Sequence, residues 1–191
     1  MPELSLEKYY NEFKHLTTSD DLFTKLELAK QEFLNTKGAG GRLILAGNGG
    51  SAATVSHAAV DFTKQAKIPA ICFNDVSLIT AFSNDYGYDK WVEKAFQQLS
   101  LPNDIFICVS VSGNSPNLVN AALLAKKTNH KVITFTGKSR ENTLYKLGDI
   151  NFFVDSSAYN IVEAIHLIWL TSLVDMVIGV SVYDVSDENA F

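Results

Sequence analysis

The spacing of hydrophobic positions along the chain changes once, after about Lys37. Up to that residue the apolar positions recur at helical spacing, and Thr18, Ser19 and Asp20 interrupt them as loop and N-cap candidates. The pattern predicts two N-terminal helices within residues 1–38.

Beyond this segment, short runs of β-branched and apolar residues alternate with helical stretches. Strands that alternate with helices form βαβ crossovers, so the order predicts an α/β fold with a mainly parallel five-stranded sheet flanked by helices on both faces. The predicted strands are residues 42–46, 70–73, 105–110, 131–136 and 150–154, within a core of residues 42–155.

The last apolar stretch, residues 159–180, predicts one long helix. It is long enough to cross a membrane, but it contains Glu163, His166 and Asp175. A charge at the centre of a membrane-spanning helix costs roughly 2.5–3.5 kcal/mol. We therefore expect a buried helix and no membrane contact, followed by a solvated tail at residues 181–191.

Composition narrows the classes of function. A chain of 191 residues with 47% hydrophobic and 19% charged residues predicts a single globular domain rather than a disordered chain. The net charge of −5 and the scattered lysines argue against nucleic acid as the main ligand. The N-terminus has neither the basic start nor the apolar centre of a signal peptide, which predicts a cytoplasmic protein.

The loop after the first predicted strand has the sequence GNGGS, residues 47–51. Its glycines allow a ligand to approach the backbone, and Ser51 lies at a helix N-terminus, where free N–H groups and the helix dipole favour an anion. The same spacing satisfies a relaxed G-x-G-x-x-G/A pattern, and Asp75 follows the next strand. A dinucleotide-binding oxidoreductase is therefore an open alternative.

A second loop, SVSGNSPN at residues 110–117, follows the third predicted strand. Three serines alternate around a glycine, and Pro116 falls in the first turn of the next helix, which makes Ser115 the predicted N-cap. This arrangement would gather hydroxyl and backbone donors around a hole the size of a phosphate. The alternative is that Ser115 only caps the helix and the other serines are turn residues.

The pairing of AGNGGSAA (46–53) with SVSGNSPN (110–117), followed by KVITFTGK (131–138), resembles the sugar isomerase (SIS) domain. Within that family the chain is most similar to the sedoheptulose 7-phosphate isomerases, or phosphoheptose isomerases. The similarity also includes the N-terminal helices, residues 73–77, residues 83–87 and the last helix. It implies a three-layer SIS fold, a small sugar phosphate as ligand, no nucleotide cofactor, and a homotetramer with sites at subunit interfaces.

The resemblance also implies site residues. The matching serines of both loops hold the substrate phosphate in the family, and the residues matching Asn48 and Asp85 line the sugar. The substrate-binding residues implied here are Asn48, Gly49, Gly50, Ser51, Asp85, Ser110, Val111, Ser112, Asn114, Ser115 and Glu163.

Two pairs of histidine and carboxylate offer acid–base chemistry. His57 and Asp61 lie four residues apart on one predicted helix, and Glu163 and His166 lie three apart on another, so each pair shares a helix face. Taken singly, each pair could be an ordinary surface or packing contact. Together the four residues could hold a zinc ion, since imidazole and carboxylate are normal zinc ligands.

In the isomerases a histidine and a glutamate match His57 and Asp61, a glutamine usually matches Glu163, and some members bind zinc. The glutamate is one proton-transfer group, and the second is a histidine whose counterpart here is Thr171. A threonine hydroxyl does not titrate near neutral pH. We therefore expect Asp61 to act as base and His166 as acid or metal ligand. The alternative is a non-catalytic SIS module that senses a sugar phosphate or acts as a scaffold.

Overall fold

The computed structural model of the chain describes residues 4–18, 20–184 and 186. Its centre is a fully parallel five-stranded sheet with the strand order β2-β1-β3-β4-β5. The strands are β1 Leu43–Gly47, β2 Ala70–Cys72, β3 Ile105–Ser110, β4 Lys131–Gly137 and β5 Ile150–Val154. The α/β fold predicted from the sequence is confirmed.

Two predicted strand ends differ by one residue for a simple reason. Gly47 pairs with Val109, and Gly137 pairs with Val154, so the backbone ladder continues through both glycines. A pattern of side chains does not record this pairing, because glycine has no side chain. β2 ends one residue earlier than predicted, at Cys72.

Eight helices surround the sheet in the described part of the chain. They are α1 Leu6–Thr17, α2 Asp20–Gly38, α3 Gly50–Lys64, α4 Val76–Tyr86, α5 Trp91–Leu99, α6 Pro116–Lys127, α7 Thr143–Leu147 and α8 Tyr159–Ile178. Thr18 ends α1 in an extended conformation, and the N-cap candidate Ser19 lies outside the described residues. The two predicted N-terminal helices are present.

Two hydrophobic cores form, one on each face of the sheet. On one face, β1 residues such as Leu43 and Leu45 pack with buried residues of α2, α3 and α8. On the other face, Ile44 and Ala46 pack with buried residues of α5, α6 and α7. Alternate residues of one strand thus enter opposite cores, as a parallel sheet covered on both sides requires.

Helix α8 is an element of the first core. It is long and apolar enough to cross a membrane by length and composition alone, with a mean hydropathy of 1.8 over its most apolar window. Eight of its residues, including Ile161, Ile165 and Leu173, are buried, and the helix contacts α1, α2 and α3. Its apolar character is therefore used in packing within this chain.

The strand order creates one natural binding crevice. β1 lies between β2 and β3, so the chain leaves β1 toward one side of the sheet and leaves β3 toward the other. The helices that follow these strands, α3 and α6, lie on opposite faces. In open α/β sheets ligands bind at the carboxyl ends of the strands, at this switch point.

Candidate functional site

A small cavity of about 60 Å³ lies where β1 and β3 end. Its lining residues are Asn48, Ser51, Ser110, Val111, Ser112, Ser115, Tyr159 and Glu163. Seven of these eight were named from the sequence, and they come from two loops and from α8. The two loops therefore meet in space, as the parallel topology requires.

The serine hydroxyls of the second loop face one another. Ser110 Oγ lies 3.3 Å from Ser115 Oγ and 3.5 Å from Ser112 Oγ, and it accepts a hydrogen bond from the backbone N–H of Gly113 at 3.2 Å. Ser115 has the extended backbone of an N-cap, but among the described residues its side chain makes no capping bond to α6. Its hydroxyl is turned toward Ser110, so capping does not explain it.

Gly113 gives this loop its shape. Its φ of +63° is in the left-handed region, and an added Cβ would lie 2.0 Å from Asn142 Oδ1. Asn142 in turn caps α7 by accepting from the N–H of Tyr145 at 2.8 Å, and Leu144 N–H donates to the Gly113 carbonyl at 2.9 Å. The loop is thus held from behind by the start of α7.

The first loop contributes the N-terminus of α3. Gly49 adopts a φ of +57° before the helix, and Ser51 in the first turn is buried. The Glu163 carboxylate packs directly on Gly50, since an added Cβ there would lie 2.4 Å from Glu163 Oε2. A carboxylate therefore occupies the positive end of a 15-residue helix, the place where an anionic ligand is most stable.

The cavity is lined by neutral hydrogen-bond donors rather than by cations. Within the described part of the chain its lining contains one charged residue, Glu163, and no lysine or arginine. Lys138 contacts one lining residue from outside, with its ammonium 4.6 Å from the centre of the Tyr159 ring. Serine hydroxyls and the N-termini of α3 and α6 are the groups available to hold an anion.

Asn48 is held by a network that sequence reasoning missed. Its side chain exchanges two hydrogen bonds with Asn117, at 3.0 and 2.9 Å, and the Tyr88 hydroxyl donates to Asn48 Oδ1 at 3.1 Å. Asn117 ends the SVSGNSPN motif and Tyr159 begins the last helix. Their places in the sequence were visible, but their contacts with the first loop and the cavity were not.

Two predicted substrate-binding residues, Asn114 and Asp85, are engaged elsewhere. Asn114 Oδ1 accepts from the backbone N–H of Thr143 at 2.9 Å and from its hydroxyl at 3.0 Å, which ties the serine loop to α7. Asp85 lies exposed near the end of α4 and accepts from Asn84 at 2.9 Å. Neither residue lines the cavity of this chain.

His57 and Asp61 form the predicted pair on α3, with His57 Nε2 3.0 Å from Asp61 Oδ2. Asp61 lies ten residues beyond Ser51, which corresponds to about 15 Å along the helix axis. The side chain of His57 is 58% exposed and that of Asp61 is 29% exposed. The pair and the cavity are therefore separate centres in one chain.

His166 lies in the core. Its side chain is fully buried against Phe135 and Trp169, and its Nε2 lies 3.1 Å from the carbonyl oxygen of Thr136. Burial lowers the pKa of the ring to about 4, against a smaller opposing effect of that hydrogen bond. His166 is therefore neutral at pH 7 and donates from Nε2, while Nδ1 has no partner in the described part of the chain.

The proposed zinc ligands do not converge within one chain. Among residues 4–18, 20–184 and 186, no group of three or more His, Cys, Asp or Glu is placed to hold a metal ion. Glu163 lies at the first turn of α3, His57 and Asp61 lie two to three turns further along, and His166 faces the core. These four residues do not fit a zinc centre formed by a single chain.

A larger cavity, of about 570 Å³, lies at the opposite end of the sheet. It is lined by the first residues of β3 and β4, Ile105 and Lys131, together with parts of α2 and the loops before those strands. Lys131 is paired with Glu32 there. Despite its size, this cavity contains none of the serine-loop residues and lies away from the switch point.

Comparison with known proteins identifies the family to which this fold belongs. A model of the SIS domain family matches residues 8–137, which is more than half of the chain. The chain belongs to the SIS domain family. Among curated SIS relatives, a phosphoheptose isomerase of Aliarcobacter butzleri is 35% identical over 150 residues, covering 75% of this chain and 79% of the relative.

Solved SIS structures agree with the sequence comparison. The phosphoheptose isomerase of Francisella tularensis superposes with a TM-score of 0.82 and 26% identity, over 92% of this chain and 98% of that one. The phosphoheptose isomerase GmhA of Neisseria gonorrhoeae gives a TM-score of 0.77 and 28% identity, over 82% and 87%. The resemblance to the phosphoheptose isomerases inferred from the motifs is confirmed.

Proposed function

We propose that this SIS protein converts sedoheptulose 7-phosphate to an aldoheptose 7-phosphate. The observation that carries the proposal is the cavity in which Ser51, Ser110, Ser112 and Ser115 converge at two helix N-termini. It matches a phosphate in size and in donor chemistry. The identity of the sugar and the type of reaction are inferred from the similarity to phosphoheptose isomerases over most of both chains.

The proposed reaction passes through an enediolate. A base removes a proton from C1 of the ketose, the electrons form the C1–C2 double bond, and the C2 carbonyl oxygen becomes the enediolate oxygen. A proton is then delivered to C2, and the proton on the C1 oxygen moves to the C2 oxygen, so that C1 becomes the aldehyde and C2 carries a hydroxyl group. We assign the base to Asp61, whose carboxylate is partly exposed and is oriented by His57.

The second proton-transfer group is assigned to His166, and its burial puts a condition on this role. The ring must leave the Thr136 carbonyl, or the substrate must reach Nδ1, before a proton can move. Glu163, a titratable residue that lines the cavity, is the second candidate for this role. Replacing each in turn by a residue that does not titrate, His166→Gln and Glu163→Gln, separates the two assignments by loss of kcat.

The distance between the cavity and Asp61 supports a site shared between subunits. The cavity lined by Ser51, Ser110, Ser112 and Ser115 is the serine cavity. We propose a homotetramer in which the His57–Asp61 pair of one chain faces the serine cavity of another. The exposed surface around this pair fits an interface, because Val60, between them on α3, is 60% exposed. Apolar side chains of this kind are commonly buried when subunits associate.

Mixing two inactive variants tests the shared site. Ser110→Ala removes phosphate anchoring and Asp61→Asn removes the base, so each variant alone should be inactive. Co-expressed chains should regain a fraction of wild-type activity, because some sites then combine an intact cavity with an intact base. A mixture that stays inactive while forming mixed oligomers by native mass spectrometry contradicts the shared site, and a monomeric mass contradicts the tetramer.

A zinc ion is proposed only for the assembled protein. His57 and Asp61 of one chain offer two ligands on one helix face, and a second subunit would have to supply the rest. The measurement is the metal content of the purified oligomer, compared with that of His57→Ala. We further propose that the protein works in the cytoplasm, where fractionation of cells would detect it.

A second candidate function rests on Thr171. Its hydroxyl bonds back to the carbonyls of Leu167 and Ile168 on its own helix, at 3.0 and 3.1 Å, and so performs a purely local role. The alternative is therefore a SIS module that binds a sugar phosphate without converting it. Saturable binding of sedoheptulose 7-phosphate by calorimetry, with no product after prolonged incubation, would favour this alternative.

A further inference from the structure

Asn48 and Asn117 form a closed pair of side-chain amides. Asn48 Nδ2 donates to Asn117 Oδ1 at 3.0 Å, and Asn117 Nδ2 donates to Asn48 Oδ1 at 2.9 Å. The two residues are 69 positions apart in the chain, and the pair joins the loop after β1 to the first turn of α6. Asn117 is 1% exposed and Asn48 is partly buried, so the pair is shielded from solvent on the Asn117 side.

Tyr88 completes the arrangement from a third element. Its hydroxyl, in the segment between α4 and α5, donates to Asn48 Oδ1 at 3.1 Å. A carboxamide oxygen has two lone pairs, and both are now used by the protein. One N–H of Asn48 Nδ2 is used by Asn117. Within the described residues the other N–H makes no hydrogen bond, and Asn48 lines the serine cavity.

From this geometry we infer that Asn117 is a positioning residue that, with Tyr88, locks the Asn48 side chain as a hydrogen-bond donor toward the ligand. The ligand atom that faces Asn48 must then be an acceptor, such as a phosphate oxygen. Without the lock, the carboxamide can rotate and present its oxygen, which would repel a phosphate. The identity of the sugar phosphate rests on the proposed function, but the lock itself does not.

The lock can be tested in the free protein. The side-chain N–H groups of Asn48 give separate NMR signals, and their exchange with solvent reports whether Asn117 holds them. We expect exchange to accelerate at least tenfold in Asn117→Leu, which removes the acceptor Oδ1, and to stay slow in Asn117→Asp, whose carboxylate still accepts from Asn48 Nδ2. Asn151→Asp is the matched control, because Asn151 is a part-buried amide in a hydrogen-bond network at the other end of the sheet.

Inorganic phosphate is the probe for the ligand-facing role. A hydrogen bond to a charged group is worth a factor of roughly 10 to 100 in Kd, so Asn117→Leu should bind phosphate that much more weakly. Asn117→Leu adds no charge, so its loss of affinity is not electrostatic repulsion. Tyr88→Phe, at a half-exposed position, should weaken binding by a smaller factor, and Asn151→Asp should not change it.

The outcomes separate this inference from the proposed function. Unchanged amide exchange or unchanged phosphate affinity in folded Asn117→Leu, or no phosphate binding by the wild type, would each overturn it. If Asn117→Leu does not fold, the phosphate affinity of Tyr88→Phe, at a half-exposed position, decides the question. A protected Asn48 amide and tight phosphate binding, without conversion of sedoheptulose 7-phosphate, would uphold the lock and refute the isomerase.

Discussion

Gly113→Ala places a methyl group where the serine loop meets α7. The new Cβ would lie 2.0 Å from Asn142 Oδ1 and 2.2 Å from Asn142 Cγ, and the backbone there has a φ of +63°. Asn142 is 2% exposed and makes two hydrogen bonds of its own, to Tyr145 N–H and to the Ser139 carbonyl. The side chain therefore cannot move aside without losing both.

The expected cost can be worked from these contacts. A left-handed backbone costs an alanine roughly 1–2 kcal/mol relative to glycine. Loss of the Asn142 cap on α7 adds about 1 kcal/mol, and the second hydrogen bond adds a similar amount. We expect Gly113→Ala to lower the free energy of unfolding by roughly 3–4 kcal/mol and to abolish phosphate binding, because Ser110 and Ser112 flank the distorted turn.

Urea denaturation of four variants, Gly113→Ala, Asn142→Ala, their double variant and Gly179→Ala, isolates the clash. Gly179→Ala is the matched control, since Gly179 has a φ of +94° and an added Cβ would meet nothing within 4 Å, so only the backbone cost should appear. The double variant Gly113→Ala/Asn142→Ala should cost less than the sum of its single variants, because the clash is removed. The reasoning is refuted if Gly113→Ala costs no more than Gly179→Ala.

Three further predictions concern charge. Glu163→Gln removes a negative charge from the serine cavity, so the Kd for inorganic phosphate should fall by roughly tenfold. Calorimetry measures this Kd, and weaker binding would contradict the prediction. His166 has a pKa of about 4 in the folded protein, so between pH 6.5 and pH 4 only the unfolded chain takes up the proton. The free energy of unfolding should therefore fall by roughly 3 kcal/mol as the pH drops from 6.5 to 4. In urea titrations, His166→Phe should flatten this dependence on pH. The buried Asp104 carboxylate accepts hydrogen bonds from Arg42 and from Leu101 N–H. Asp104→Ala should therefore lower the free energy of unfolding by roughly 3 kcal/mol in the same urea assay, and a loss below 1 kcal/mol would contradict this.

The sequence predicted the sheet because each strand is an apolar run bounded by turn residues. It predicted the cavity because both unusual loops follow strands, and parallel topology brings strand ends together. Ser115 shows the limit of local reasoning. Its position predicts a helix cap, but its hydroxyl lies against that of Ser110 and makes no capping bond. This orientation depends on a contact with a residue five positions away and not on the local preference of serine for helix N-termini.

The acid–base residues were harder to predict. Spacing of four placed His57 beside Asp61 correctly, because residues i and i+4 share a helix face. Spacing of three could not tell which way α8 would face, and packing turned His166 into the core while leaving Glu163 at the cavity. The link between Asn48 and Asn117 depends on two loops meeting, which no local pattern records.

The central claim is that a sugar phosphate held by the serine cavity is isomerised. Its most direct test is incubation of the wild-type protein with sedoheptulose 7-phosphate in deuterated buffer, followed by NMR. We predict formation of an aldoheptose 7-phosphate with deuterium at C1 or C2, and neither with Asp61→Asn. Binding of the sugar phosphate without product and without deuterium incorporation would contradict the claim.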